Sequence, residues 1–164
     1  MVEHAAARTV ATTVPRAGKY LTFSLASEAY GLEILRVREI IGMMDITTVP
    51  RTPDFVKGVI NLRGNIIPVF DLRLKFGMPA VETTNQTCII VVNVGDVETG
   101  VIVDKVLEVL DITEDDIDAA PSFGAGVDTD FILGIGKGKD QVTILLDISK
   151  VLSSGDIAVL KAIN

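Results

Sequence analysis

One histidine and one cysteine are all that the chain offers for imidazole or thiolate chemistry. His4 stands in an N-terminal stretch without apolar periodicity, so no buried imidazole base is expected, and Ser-His-Asp and Cys-His arrangements are excluded. Cys88 can form neither an internal disulfide nor, with His4, a cysteine- or histidine-rich zinc site. It lies in an apolar, β-branched run with no cation beside it to lower its pKa, which points to a buried, inert thiol. Carboxylates are left. Residues 111–118 (DITEDDID) lack the central glycine and the closing glutamate of a calcium loop; Thr113 as an N-cap followed by acids in a first turn accounts for them. A carboxylate pair such as Asp71 and Asp147 is open to an acid–base reading. Each precedes a short apolar segment (LRLKF, ISKVL), where capping a helix is the simpler role. The run 134–139 (GIGKGK) is followed by Asp140 and a strand-like segment, whereas a phosphate loop ends in Lys-Ser or Lys-Thr and opens a helix. It reads as a hairpin turn, and neither a metal nor a cofactor is expected.

Other residues are better suited to touching a partner than to catalysis. In Asn61-Leu62-Arg63-Gly64, an arginine beside the tip of an apolar hairpin adds little to folding, while its five rigid donors match a carboxylate. A solvated turn arginine is the alternative. Val37 and Glu39, two apart on an extended segment, fall on one face by alternation, either as ordinary strand surface or as part of a contact.

The composition permits a scaffold for these side chains. Of 164 residues, 48% are apolar, enough to exclude a disordered chain and to build one domain or two small intertwined halves. Aromatics make up only 5% and tryptophan is absent, so Val, Ile and Leu must form the core. The formal charge of −7 disfavours nucleic acid as a partner. The apolar runs are too short for membrane insertion, and residues 1–18 hold no signal-peptide core, so a soluble cytoplasmic protein is expected. Residues 1–18 read as a flexible tail with two basic and one acidic side chain, leaving −8 on the remainder.

From residue 19 the chain is a succession of short β-rich segments. Residues 20–25 alternate as a strand, 26–31 turn, and 32–34 begin the return. A second extended stretch reaches Val49, and Asp54 caps one helical turn to Lys57. Residues 58–70 (GVINLRGNIIPVF) form a hairpin about Gly64-Asn65, with Pro68 placing its arm at a sheet edge or bulge. Asp71 caps a helix ending at Gly77. Residues 87–94, 97–103 and 105–112 read as strands, 113–130 as a loop, and 131–135 with 141–146 as a second hairpin. Asp147 caps a further helix, and residues 154–164 include a short amphipathic one. The chain is therefore mostly β, with a few short helices.

An internal repeat links the parts. Gly31, Val37 and Glu39 recur as Gly100, Val106 and Glu108 at an offset of 69; Phe55, Gly58 and Asp71 recur as Phe131, Gly134 and Asp147 at 76. Two halves of similar topology, roughly 19–85 and 86–153, sharing one core, are expected, since halves this small are marginal alone.

Residues 58–76 (GVINLRGNIIPVFDLRLKF), with 30–41 (YGLEILRVREII), 101–109 (VIVDKVLEV) and 131–134 (FILG), resemble the CheW family of bacterial chemotaxis coupling proteins. The resemblance covers about residues 18–153 in family order. It implies two intertwined five-stranded SH3-like β-barrels and a non-catalytic adaptor that joins methyl-accepting chemoreceptors to a CheA-type histidine kinase, with no small-molecule substrate. It also implies that Asn61, Arg63 and Gly64 serve receptor and kinase coupling and that Val37 and Glu39 belong to a partner contact. Cys88, Val106 and Val109 match apolar positions bordering the groove for a receptor helix, although Cys88 stands where a β-branched residue is common. A coupling protein of a non-flagellar pathway and a detached CheA-type regulatory domain are the alternatives.

Overall fold

β-branched runs broken by two-residue turns favour antiparallel hairpins, and hairpins make up most of the computed structural model, which describes residues 17–121, 129–138 and 141–152. In chain order the elements are β1 (Gly18–Leu25), β2 (Glu28–Glu33), β3 (Val37–Gly42), β4 (Val56–Leu62), β5 (Asn65–Asp71), α1 (Leu72–Lys75), β6 (Cys88–Val94), β7 (Val97–Val103), β8 (Lys105–Ile112), β9 (Ile117–Asp118), β10 (Ile132–Lys137), β11 (Val142–Leu146) and α2 (Ile148–Val151). They form two sheets, ordered β8-β1-β2-β11-β10-β9 and β3-β6-β7-β5-β4. The expected mostly-β architecture of two intertwined SH3-like units is present, with six strands in the first sheet because of the two-residue β9.

The repeat organises the pairing. Gly31 of β2 lies beside Leu145 of β11, and Gly100 of β7 beside Val69 of β5, both in parallel. Adding 69 to 31 and 76 to 69 converts one pair into the other, so the two halves of the chain exchange their first hairpins. The register shift between Val56 and Gly58 recurs between Ile132 and Gly134. The backbone bond Asp71 N–H to Phe55 O, at 2.8 Å, recurs from Asp147 to Phe131 at 2.8 Å. At both parallel seams a glycine allows close approach: a Cβ on Gly100 would stand 2.8 Å from Ile89 Cγ2, and one on Gly31 would stand 3.0 Å from the movable Cδ2 of Leu145.

Apolar faces close three cores. Ile60, Leu62, Ile67, Val69, Ile89, Val91 and Ile102 line one face of the second sheet; Tyr20, Ile112, Ile117 and Leu145 form the smaller cluster of the first. The largest cluster draws on both sheets and both helices, including Phe23, Leu32, Phe70, Leu72, Ile90, Val101, Leu146 and Ile148. Burial there removes the apolar faces from water and holds the sheets together.

Several local expectations are corrected. The first turn is Ala26–Ser27 alone, both at positive φ, because Leu25 already pairs with Glu28. Extended structure after the first crossing starts at Val37 and ends at Gly42; beyond it only Thr47 bridges, to Val59. No helical turn follows Asp54: a single turn closed by Val56 N–H to Pro53 O leads into β4, since Val56 is committed to pairing with Phe70. Pro68 is on an interior strand. Val59, its partner, spends both backbone groups on Thr47, so Pro68 points its nitrogen away from β4, one residue before pairing with β7 begins. The 113–130 segment holds a 3-10 turn and β9, and the Thr113 hydroxyl donates to Asp116 at 3.2 Å instead of capping an N–H. Asp71 and Asp147 do cap α1 and α2, accepting from the backbone N–H of Arg73 (2.8 Å) and Ser149 (3.0 Å). Of the tail expected over residues 1–18, Gly18 instead opens β1, where it pairs with Ile112, and residues 1–16 lie outside the described residues, as does the helix expected within 154–164.

Candidate functional site

The candidate residues form two groups. The first is the β4–β5 tip. Leu62 and Asn65 are cross-strand partners, so the turn residues are Arg63 and Gly64 at φ +53° and +90°, one position earlier than the Gly64-Asn65 turn expected. Asn61 explains why a non-glycine residue is tolerated there: its Oδ1 accepts the Gly64 N–H at 2.8 Å and braces the loop. The Arg63 guanidinium, its side chain 67% exposed, donates through Nη2 to Glu39 Oε2 of β3. The tip therefore presents a partly neutralised cation on a fixed turn, with unused donors facing solvent.

The second group lines the border between the sheets. Val37, Cys88 and Val106 pack against the shared core from β3, β6 and β8. Burial pushes the Cys88 thiol up from its ordinary pKa, and the Val106 backbone N–H directed at the sulfur offsets part of that rise. Cys88 and Val106 are thus brought together although β6 and β8 belong to different sheets. Val109, also on β8 and 49% exposed, extends the apolar strip outward. Together they make an open, apolar border that the side of a helix can cover.

Val37 and Glu39 do not share a face. A bulge sets Val37 opposite Val92 and Glu39 opposite Val91, consecutive residues of β6 that belong to different cores. Val37 thus joins the shared core and Glu39 turns to the tip. The same bulge on the other edge strand sets Val106 opposite Phe23 and Val109 opposite Leu21, making Val106 the counterpart of Val37 and Val109 that of Ile40. Ile40, 44% exposed, had no signal in the sequence beyond the repeat.

Arg73 and Asp104 were also missed. Arg73 donates through Nε and Nη2 to the two oxygens of Asp104, each at 2.7 Å, and the guanidinium holds that carboxyl below the usual carboxylate range. The two are 31 apart in sequence, so no local pattern reveals them. No group of three potential metal-ligating side chains occurs among the described residues, nor does a helix long and apolar enough to cross a membrane.

Residues 19–156 match the family described as the CheW-like domain. The chain is 43% identical over 140 residues to a chemotaxis protein CheW of Klebsiella aerogenes, covering 85% of this chain and 84% of that one. It is 28% identical over 138 residues to the protein FrzA of Myxococcus xanthus, covering 83% and 86%. Among solved structures, the scaffolding protein TtCheW of Thermoanaerobacter tengcongensis superposes with a TM-score of 0.77 at 38% identity, covering 86% of this chain and 96% of that one.

Proposed function

Because the chain belongs to the CheW family, we propose that it is a cytoplasmic, non-catalytic adaptor that couples chemoreceptor tips to the regulatory domain of a CheA-type histidine kinase. The observation that carries this reading is the family match across residues 19–156. The two groups of side chains supply the surfaces. The apolar border of Cys88, Val106 and Val109 receives one face of a receptor helix, and the tip of Asn61, Arg63 and Gly64, with Glu39 beside it, meets a second partner through a charged contact; Val37 backs the border from the core. Tethering at one surface raises the effective concentration at the other, so two modest contacts on a stiff body suffice. A receptor rearrangement then biases the kinase through differential contacts with its two activity states, with no bond made or broken.

The test is a reconstituted receptor–kinase–adaptor assembly. Arg63→Glu loses the pair with Glu39 and sets a second carboxylate beside it, which should cost about 0.5–1 kcal/mol, while kinase activation falls sharply. Val106→Asp should abolish receptor binding, with circular dichroism run alongside to separate loss of contact from loss of fold. Undiminished activation by folded Arg63→Glu removes the tip from the coupling surface.

A further inference from the structure

The chain passes between its sheets twice, at positions the repeat nearly matches. Residues 34–36 lead from β2 to β3, and Asp104 alone leads from β7 to β8. Each crossing is held by a side chain of a short helix, but the two contacts differ in kind. At the second, Arg73 of α1 grips both oxygens of Asp104 at 2.7 Å, and Asp104 Oδ2 also accepts the Ala26 N–H at 2.9 Å while its own N–H donates to Ser24 O at 3.1 Å. The pair is largely withdrawn from water, with side chains 14% and 26% exposed. Phe76, just after α1, stacks between Tyr30 and Phe131 with ring centroids 6.0 and 5.6 Å away. At the first crossing, the residue matching Arg73 is Ser149 and that matching Phe76 is Leu152. There, among the described residues, α2 contributes one hydrogen bond of 3.3 Å, from Arg36 Nη1 to the Ser149 hydroxyl, and Ile34 packs against the shared core.

We propose that the two crossings are a locked joint and a yielding joint, so that the sheets shift against one another about Asp104, moving β3 with Glu39 while β8 keeps Val106 in place against Cys88. A bidentate, charge-assisted pair with further backbone bonds resists displacement in two directions; a single long bond to a rotatable hydroxyl resists little. β3 and β8 are both edge strands with the same bulge, so each is the internal control for the other. The joint stands on its own geometry. Its consequence, that load on the tip travels through β3 while the apolar border holds its spacing, rests on the function proposed above.

Amide hydrogen exchange on the full chain, without partners, tests the joint separately from that function. Matched ladder amides should differ, Ile40 exchanging at least ~10-fold faster than Val109. Ser149→Asp sets a carboxylate opposite Arg36 and should slow the β3 amides several-fold, and Asp104→Asn should speed those of β8. Equal exchange at the matched amides in the parent protein overturns the proposal outright. So does a Ser149→Asp chain with parental circular dichroism and unchanged exchange in β3.

Discussion

The β4–β5 and β10–β11 hairpins share the same bulge, the same aspartate N–H donating to a phenylalanine carbonyl and the same Asp-capped helix behind them. Their ends differ. In the first, Asn61 braces the turn and Arg63 reaches Glu39. In the second, Lys137 stands at the position of Asn61 and pairs with Asp118 at 3.2 Å, while Gly138 N–H closes the turn onto Gln141 O at 2.9 Å. Residues that fill the shared core are held to the repeat by packing, because a methylene too many or too few is felt there. Side chains beyond the core are free of that demand, and it is there that the first copy pairs Arg63 with Glu39 of β3 while the second pairs Lys137 with Asp118 of β9. The crossings obey the same rule: Arg73 grips Asp104 in one copy, and Ser149 merely touches Arg36 in the other.

The largest expected difference between the copies is at the crossings. Asp104→Ala leaves a little-exposed Arg73 without its bidentate partner, only the more distant charge of Asp71 remaining, and should cost about 2–3 kcal/mol, whereas Ser149→Ala should stay within about 0.5 kcal/mol. The contrast depends on pH. Arg73 lowers the Asp104 pKa, so its stabilisation is complete above the unfolded value, near about 4, and is lost as pH falls through the folded value. Urea unfolding at pH 7 and at pH 3 checks both statements: Asp104→Asn should lose less stability on acidification than the parent. Equal costs at the two crossings would remove the asymmetry.

A smaller difference is expected at the parallel seams. Gly100→Ala sets a methyl 2.8 Å from Ile89 Cγ2 and 3.2 Å from Val69 Cγ2, both on β-branched side chains that cannot swing aside. Gly31→Ala meets the flexible end of Leu145 at 3.0 Å. Costs of about 2 and about 1 kcal/mol follow, in that order, readable from thermal unfolding.

These contrasts also mark what the sequence makes legible. Strand β8 is read to the residue, because Lys105–Ile112 is bounded by an aspartate and a threonine and is rich in Val, Leu and Ile. The exchange of hairpins follows from the two offsets once Gly31 and Gly100 are matched. The Arg63–Gly64 turn is displaced by one because Gly-Asn is the better turn pair by propensity, yet cross-strand register overrides it and forces an arginine to positive φ. Alternation fails for Val37 and Glu39 because a bulge carries no residue signature of its own. The Arg73–Asp104 grip depends on a crossing that brings distant segments together; its only trace is that the first copy reads Asp-Leu-Arg where the second reads Asp-Ile-Ser.

The smallest expected effect on stability is also the sharpest on function. Arg63→Gly relieves a non-glycine residue of the left-handed region, a gain of about 1 kcal/mol. It gives back a similar amount through the looser unfolded chain and the lost pair with Glu39, about 0.5–1 and 0.2–1 kcal/mol respectively. Unfolding free energy should therefore change by no more than about 1 kcal/mol. If the tip is kept for contact, the same variant should lose kinase coupling to nearly the extent of Arg63→Glu, although it removes a charge and introduces none. If coupling survives in Arg63→Gly but not in Arg63→Glu, the arginine is tolerated and not used, and the difference between the twin hairpins is one of turn chemistry alone.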